Sequence, residues 1–157
     1  MKPLDDPRSI VRLKALNLDV GLHKSGVIYR KATINAFRLG ILNPHIGILP
    51  AYRGRSVMEW SLLQGDPTGI FVFFVDSGID TGERIVHSEQ VDVSNLGSAG
   101  EAKRFLFDLD GKFFRKALEL LQSENPVYTT NDCSGRRYDV MSKLFLEVVE
   151  DLLERQN

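Results

Sequence analysis

The most hydrophobic part of the chain is the run from Gly69 to Val75, Gly-Ile-Phe-Val-Phe-Phe-Val. Its apolar residues are nearly continuous instead of alternating, and a strong turn signal, Gly65-Asp66-Pro67, precedes it. This pattern is typical of a strand that is buried on both faces, within a sheet covered by helices. It therefore predicts a central strand over residues 69–75.

Three other segments predict further strands, at residues 18–22, 40–45 and 84–93. The second of these, Gly-Ile-Leu-Asn-Pro-His, begins apolar and ends in polar side chains, whereas the third alternates roughly between apolar and polar residues. Pro44 has no backbone donor, so we expect it at the end of a strand or on a sheet edge.

Apolar spacing predicts helices between these strands. The first follows Asp6, a good N-cap, and Pro7, which suits the first helical position. Two more are predicted over residues 31–38 and 56–64, the former stopped by Gly40.

A long amphipathic helix is predicted over residues 99–123, and a final helix from residue 139 onward. Helices that alternate with strands indicate an α/β architecture around a short sheet. Because the chain has no internal repeat or linker, we expect one domain over residues 1–157. Residues 1–98 would form its sheet and site, and residues 99–157 its C-terminal helices.

Composition narrows the class of protein. The chain has 157 residues, of which 43% are hydrophobic and 26% charged, as in an ordinary globular domain. A formal net charge of -1 lacks the basic excess of nucleic-acid-binding proteins, so we expect no nucleic-acid partner. The single cysteine, Cys133, suits a reducing cytoplasm, and no apolar run predicts a membrane span or a signal peptide. We therefore expect a cytoplasmic protein.

Three polar clusters follow predicted strands, where α/β proteins commonly place their sites. They are Asn43-Pro44-His45, the loop that contains Asp80, and Lys24-Ser25-Gly26. Positions i and i+2 of an extended backbone project to the same side, so Asn43 and His45 are expected to face one pocket. An amide donor, an imidazole and a carboxylate can together stabilise a tetrahedral oxyanion and move a proton.

Two of these clusters also have a purely structural interpretation. Asn43 and His45 could belong to a turn with a satisfied histidine, and Asp80 could hydrogen-bond its own backbone before Thr81-Gly82. No serine or cysteine nucleophile motif is present, and no cluster has metal-ligand spacing, so we predict neither a covalent intermediate nor a metal site.

In this order, the clusters resemble the formyltransferase family, which includes glycinamide ribonucleotide, methionyl-tRNA and amino-sugar formyltransferases. The matching text runs Leu-Asn-Pro-His-Ile-Gly-Ile-Leu-Pro-Ala-Tyr-Arg-Gly over residues 42–54, Gly-Asp-Pro-Thr-Gly over 65–69, and Phe-Val-Asp-Ser-Gly-Ile-Asp-Thr-Gly over 74–82. The combined resemblance covers about residues 18 to 93.

The resemblance implies a Rossmann-like three-layer sandwich with a short mixed sheet. It implies that Asn43, His45 and Asp80, not Asp76, are catalytic, and that 10-formyltetrahydrofolate donates a formyl group to a primary amine of a small acceptor. An amino sugar is favoured over glycinamide ribonucleotide. The implied donor-binding residues are Gly26, Val27, Ile28, Tyr29, Val75, Asp76, Gly78 and Ile79.

The chain also departs from the family pattern. Family members begin with further βα units before the helix that starts here at Asp6, so we expect a truncated version of the fold. The strand at residues 18–22 would then become a sheet edge, at which we expect a homodimer or a complementing chain. The tRNA-formylating members carry a further β-barrel domain, which residues 99–157 do not resemble.

Two other functions stay open at this stage. The chain could be a folate-binding or regulatory module without transferase activity. It could also be a hydrolase that releases formate from 10-formyltetrahydrofolate, since the same three side chains could activate water.

Overall fold

The computed structural model describes residues 4–24, 26–76, 82, 84–132 and 134–155. In these ranges the helices are α1 (Pro7–Ala15), α2 (Lys31–Ile34), α3 (Val57–Gln64), α4 (Ala99–Asp108), α5 (Asp110–Leu121) and α6 (Lys143–Glu154). The strands are β1 (Val20–Leu22), β2 (Gly40–His45), β3 (Tyr52–Gly54), β4 (Gly69–Phe74), β5 (Arg84–Gln90), β6 (Thr129–Thr130) and β7 (Arg136–Tyr138).

The main sheet is mixed, as predicted. Its strands lie in the order β1-β2-β4-β5-β6, with β1 parallel to β2 and the remaining neighbours antiparallel. The short strand β1 is an edge strand, which is the position expected from the sequence. A second, smaller pairing joins β3 to β7 in parallel.

β4 is buried on both faces, which confirms the interpretation of its continuous apolar run. Ile70 and Val72 have no exposed surface and belong to the main core with Phe113 of α5. Phe73, on the opposite face, packs in a smaller cluster with Ile85 and Leu49. Burial of each such large side chain contributes about 1.5–3 kcal/mol, so this strand anchors the fold.

The register of β2 against β4 fixes which side chains share a face. Asn43 lies opposite Phe73, and His45 lies opposite Phe71, so these four residues project from the same side of the sheet. The prediction that Asn43 and His45 face the same way is confirmed.

Pro44 lies within β2, and its nitrogen faces the β1 side of the sheet, just beyond the point where the pairing with β1 ends. The last bond of the β1–β2 ladder runs from the His23 N–H to the Leu42 carbonyl. The next bond of a parallel ladder would need an N–H at position 44, which proline lacks. Pro44 therefore disrupts no existing pairing.

Capping residues set several helix starts. Asp6 accepts a hydrogen bond from the Arg8 N–H, and Pro7 takes the first position of α1, both as predicted. Ser98 caps α4 by accepting from the Glu101 N–H. The last helix begins at Lys143, after the Ser142 cap, instead of at the predicted residue 139.

The single helix predicted over residues 99–123 is wrong in its continuity. Leu109 separates two helices, of which α4 packs against α6 while α5 packs on the sheet. α2 is also shorter than predicted, because Arg38 and Leu39 turn to donate their N–H groups to the carbonyls of Leu18 and Asp19.

The region expected to hold only C-terminal helices also supplies β6 and β7 to the two sheets. The strand predicted over residues 84–93 ends at Gln90, and the one predicted over residues 18–22 starts at Val20. Among the helices given above, none has the length and apolarity needed to cross a bilayer.

Candidate active site

Two adjoining cavities, each of about 560 Å³, meet at the carboxyl end of β2. Both are lined by Asn43, Pro44, His45 and Ile46, which we call the shared wall. The loop cavity extends from this wall toward the segment after β1 and the end of β4. The helix cavity extends toward α3, α4 and the start of α5.

His45 is buried, with 7% of its surface exposed. Two neighbouring residues hold its imidazole in place. Its Nε2 lies 2.9 Å from the carbonyl oxygen of Tyr52, and its ring meets the edge of Phe73 with centroids 6.2 Å apart. A carbonyl oxygen can only accept, so Nε2 carries the hydrogen and donates it. The neutral imidazole therefore has its lone pair at Nδ1, which is the atom that can take up a proton.

Gly47 makes this hydrogen bond sterically possible. A Cβ at position 47 would lie 2.8 Å from His45 Nε2 and 2.9 Å from the Tyr52 carbonyl oxygen. Both contacts are too close for a real side chain, so the approach of the imidazole to that carbonyl requires glycine at this position.

Tyr52 is itself fixed from several directions. Its hydroxyl donates to Asp66, its ring stacks on Tyr138 with centroids 5.3 Å apart, and it is 3% exposed. Burial, with a further contribution from the Asp66 carboxylate, raises the pKa of Tyr52 well above its ordinary value. The carbonyl that orients His45 thus belongs to an immobilised residue.

Residues 136–138, to which sequence reasoning assigned no role, support this loop as β7. Gly54, at φ +104°, lets β3 approach β7, since a Cβ there would lie 2.2 Å from the Tyr138 carbonyl oxygen. Arg137 lines the loop cavity. The β3–β7 contact spans more than 80 residues of sequence and has no local signal.

The loop cavity brings together most of the residues predicted to bind the donor. The predicted residues that line it are Gly26, Val27, Ile28, Tyr29, Val75 and Asp76. Gly78, Ile79 and the predicted catalytic Asp80 lie outside the described residues. Because β4 runs antiparallel to β2, the carboxyl ends of these two strands lie at opposite ends of the sheet. The loop cavity therefore reaches Val75 by extending over the face of the sheet that carries Phe73.

His23, at the end of β1, also lines both cavities. It is 8% exposed, and its Nδ1 lies 2.9 Å from the hydroxyl of Tyr29. The sequence analysis did not include it among the candidate site residues. Its position directly after a strand that ends beside Asn43 is the signal that could have placed it at the site.

The helix cavity contains two buried carboxylates that the sequence did not reveal. Glu59 Oε1 lies 2.6 Å from Lys103 Nζ, and Asp110 Oδ2 lies 3.2 Å from Lys24 Nζ. In the described part of the chain, the other oxygen of each carboxylate has no hydrogen-bond partner. Burial raises the pKa of Asp110, and the neighbouring Lys24 opposes this shift.

Over the ranges that the structure describes, no three His, Cys, Asp or Glu side chains are grouped as a metal site would require. The polar groups at the two cavities are instead amide, imidazole, carboxylate, hydroxyl, ammonium and guanidinium groups. Such a set can stabilise an oxyanion, exchange a proton and hold a ligand through hydrogen bonds.

Residues 8–118, more than half of the chain, match the sequence model of the family described as formyl transferase. This chain belongs to the formyl transferase family. The match includes the shared wall and both buried carboxylates.

The chain is also similar in sequence to curated proteins of this family. The chain is 30% identical over 151 residues to a methionyl-tRNA formyltransferase of Azobacteroides pseudotrichonymphae, a match that covers 94% of this chain and 46% of the relative. It is 33% identical over 131 residues to a methionyl-tRNA formyltransferase of Chlamydia caviae, covering 82% and 40%. The chain thus spans less than half the length of these relatives.

Solved structures share the fold. The formyltransferase PseJ of Anoxybacillus kamchatkensis, in complex with UDP-4,6-dideoxy-4-formamido-L-AltNAc and tetrahydrofolate, superposes with a TM-score of 0.68 at 20% identity, over 90% of this chain and 78% of that one. A glycinamide ribonucleotide transformylase of Symbiobacterium toebii gives 0.65 at 24% identity, over 84% and 68%. The architecture is therefore the Rossmann-like α/β fold of these enzymes, as predicted.

Proposed function

We propose that this chain transfers a formyl group from 10-formyltetrahydrofolate to a primary amine of a small acceptor. The observation that carries the proposal is the shared wall, which exposes Asn43 and His45 to two cavities at once. A transfer between two bound molecules needs its reacting groups at such a boundary.

The loop cavity fits the donor in size and in chemistry. Its volume lies in the range of pockets for small organic molecules. Val27, Ile28 and Phe73 offer apolar surface to a flat ring, while the neighbouring backbone offers hydrogen-bonding groups. These residues would hold 10-formyltetrahydrofolate, which supplies an activated formyl carbonyl when bound.

Asn43 and His45 have complementary tasks in the transfer. The amine nitrogen forms a bond to the formyl carbon while the bond from that carbon to N10 of the folate breaks. Asn43 donates a hydrogen bond to the carbonyl oxygen as negative charge develops there, an effect often worth about 10²–10³ in rate. The amine loses a proton and N10 gains one, and Nδ1 of His45 is the site where this protein can exchange it.

Asp80 completes the proposed set as the group that orients His45. Its assignment rests on the family motif over residues 74–82. A carboxylate beside an imidazole can hold its ring in place by accepting a hydrogen bond from it.

The acceptor that we favour is an amino sugar, including nucleotide-linked ones. The support is the PseJ complex, whose ligand is a nucleotide-linked formamido sugar. The helix cavity adjoins the shared wall on the side away from Val27 and Val75, which leaves room for a second molecule.

The test is to incubate the protein with 10-formyltetrahydrofolate and to follow the release of tetrahydrofolate with and without amines. Release that depends on an amine, with a formylated product seen by mass spectrometry, supports transfer. Release without any amine identifies a hydrolase instead. Donor binding without release in any amine identifies a folate-binding module.

A further inference from the structure

Glu59 occupies an unusual position for a charged residue. It lies in the first turn of α3, where the helix dipole favours a carboxylate, yet it is only 6% exposed. Its side chain points away from solvent and lines the helix cavity together with Lys103. The 2.6 Å contact between Oε1 and Lys103 Nζ fixes one of its two oxygens.

The second oxygen, Oε2, has no hydrogen-bond partner among the residues that the structure describes. An unsatisfied buried acceptor of this kind costs about 1–3 kcal/mol, more when it is charged. Such a cost can be offset by a bound water, an ion or a ligand. The last torsion of a glutamate side chain is broad, so Oε2 has some freedom to turn toward a bound group.

We propose that Glu59 Oε2 accepts a hydrogen bond from a hydroxyl or amino group of the acceptor molecule. The inference rests on the proposed function, since it concerns the cavity on the far side of the shared wall. It assigns Glu59 as a specificity residue, with Lys103 as its positioning residue. The acceptor is then a hydroxylated amine, a class that includes amino sugars.

The charges beside Glu59 and Asp110 argue for a donor group at that point of the cavity and against an anion there. Lys103 is bound to Glu59 and Lys24 to Asp110, so both ammonium groups already have carboxylate partners. Arg55 adds a further cation to the lining of the helix cavity. The buried side-chain atoms without a hydrogen-bond partner among the described residues are the carboxylate oxygens Glu59 Oε2 and Asp110 Oδ1, which only accept. A phosphate or carboxylate placed there would meet like charge.

The substitution Glu59→Gln keeps nearly the same side-chain shape but replaces one carboxylate oxygen, an acceptor, with an amide NH₂, a donor. Lys103 has only donors, so it keeps the oxygen of the new amide facing itself. The amide NH₂ then faces the cavity and meets the donor group of the ligand. Binding of a hydroxylated amine should fall by roughly tenfold or more.

The probes are D-glucosamine and cyclohexylamine, two six-membered-ring amines that differ in their hydroxyl groups. Saturation-transfer NMR measures the binding of each at a pH where both amines are protonated. We expect the wild type to prefer glucosamine and the E59Q variant to lose that preference. The matched control is Glu89→Gln. Glu89 pairs with Lys112 at 3.2 Å between Oε1 and Nζ, and it lies outside the helix cavity.

The outcomes separate this inference from the proposed function. Glucosamine binding that depends on Glu59, without formyl transfer to any amine, supports the inference and overturns the transferase. Amine-dependent transfer with the same glucosamine preference in wild type and E59Q overturns the inference alone. Failure of the wild type to bind glucosamine more tightly than cyclohexylamine also overturns it. Thermal unfolding and binding of 5-formyltetrahydrofolate check that E59Q is folded with an intact loop cavity.

Discussion

The imidazole of His45 donates from Nε2 to the backbone carbonyl of Tyr52, at 2.9 Å. On its Nε2 side, the proposed proton-transfer group is therefore held by the main chain of a residue seven positions later. Because the acceptor is a backbone carbonyl, changing the side chain of Tyr52 does not remove it. A substitution that fills the space beside this hydrogen bond can disrupt it, and Gly47 is the residue that leaves that space open.

Replacement of His45 by alanine should abolish formyl transfer, with a loss of about 10²–10⁴ in kcat. Binding of 5-formyltetrahydrofolate, measured by titration calorimetry, should change little, because the loop cavity keeps its other lining residues. His87→Ala is the control, since His87 lies outside both cavities. Full activity in the His45 variant would rule out the proposed mechanism.

Replacement of Gly47 by alanine should lower kcat more than it affects folding. The added Cβ, 2.8 Å from Nε2, forces the imidazole away from the Tyr52 carbonyl. Steady-state kinetics with denaturation curves would measure both effects. Gly111→Ala is the matched control, because Gly111 is helical and has no atom within 4 Å of the new Cβ.

We expect the Gly111 variant to be more stable by about 0.5–1 kcal/mol, with unchanged kinetics. If the Gly47 variant instead retained wild-type kcat, the Tyr52 contact would not control the orientation of His45.

Replacement of Tyr52 by phenylalanine should destabilise the protein by about 1 kcal/mol near neutral pH, since the hydrogen bond to Asp66 is lost. The folded-state pKa of Tyr52 is raised, so the unfolded chain loses this phenolic proton at a lower pH. The stability from Tyr52 is thus complete below the ordinary tyrosine pKa and is lost as pH rises above it.

Urea denaturation at about pH 8 and about pH 11 would measure this difference. The gap in unfolding free energy between wild type and Tyr52→Phe should shrink at the higher pH. A gap that is constant across this range would contradict the assignment of the shift to Tyr52.

The open edge of β1 should make the chain self-associate at micromolar concentration. β1 leaves one side of its backbone unpaired within the described sheet, and Leu16, Leu18 and Leu22 nearby are 64%, 39% and 52% exposed. Light scattering should show a dimer that Leu22→Lys dissociates. Leu144→Lys, at a 69% exposed position on α6, should leave it intact. A monomer in the wild type would count against association at this edge.

Local sequence patterns predicted those helices and strands that are determined by residues close to them along the chain. The apolar run of β4, the strand from Gly40 to His45 and the Asp6 cap of α1 all follow from short-range chemistry. The break at Leu109 did not, because the amphipathic pattern continues through it and the two halves pack against different partners. The pairing of β3 with β7 is non-local and too short to show an alternating pattern.

The site was predictable to a similar degree. The family motif indicated Asn43, His45 and the lining of the loop cavity, whereas Glu59 and Asp110 look like ordinary solvent-facing charges on helices in the sequence. Their burial follows from the packing of α3, α4 and α5, which brings Lys103 and Lys24 to them. Charge pairs of this kind have no signature in a single sequence.

Pro44 has a consequence beyond its neighbours. Because it cannot donate to the carbonyl of residue 23, it determines how far β1 can run beside β2. β1 accordingly ends at Leu22, and both cavities are lined by His23, which follows it, and by Pro44. A ring that removes one backbone donor thus lies where the edge strand stops and the two proposed binding sites adjoin.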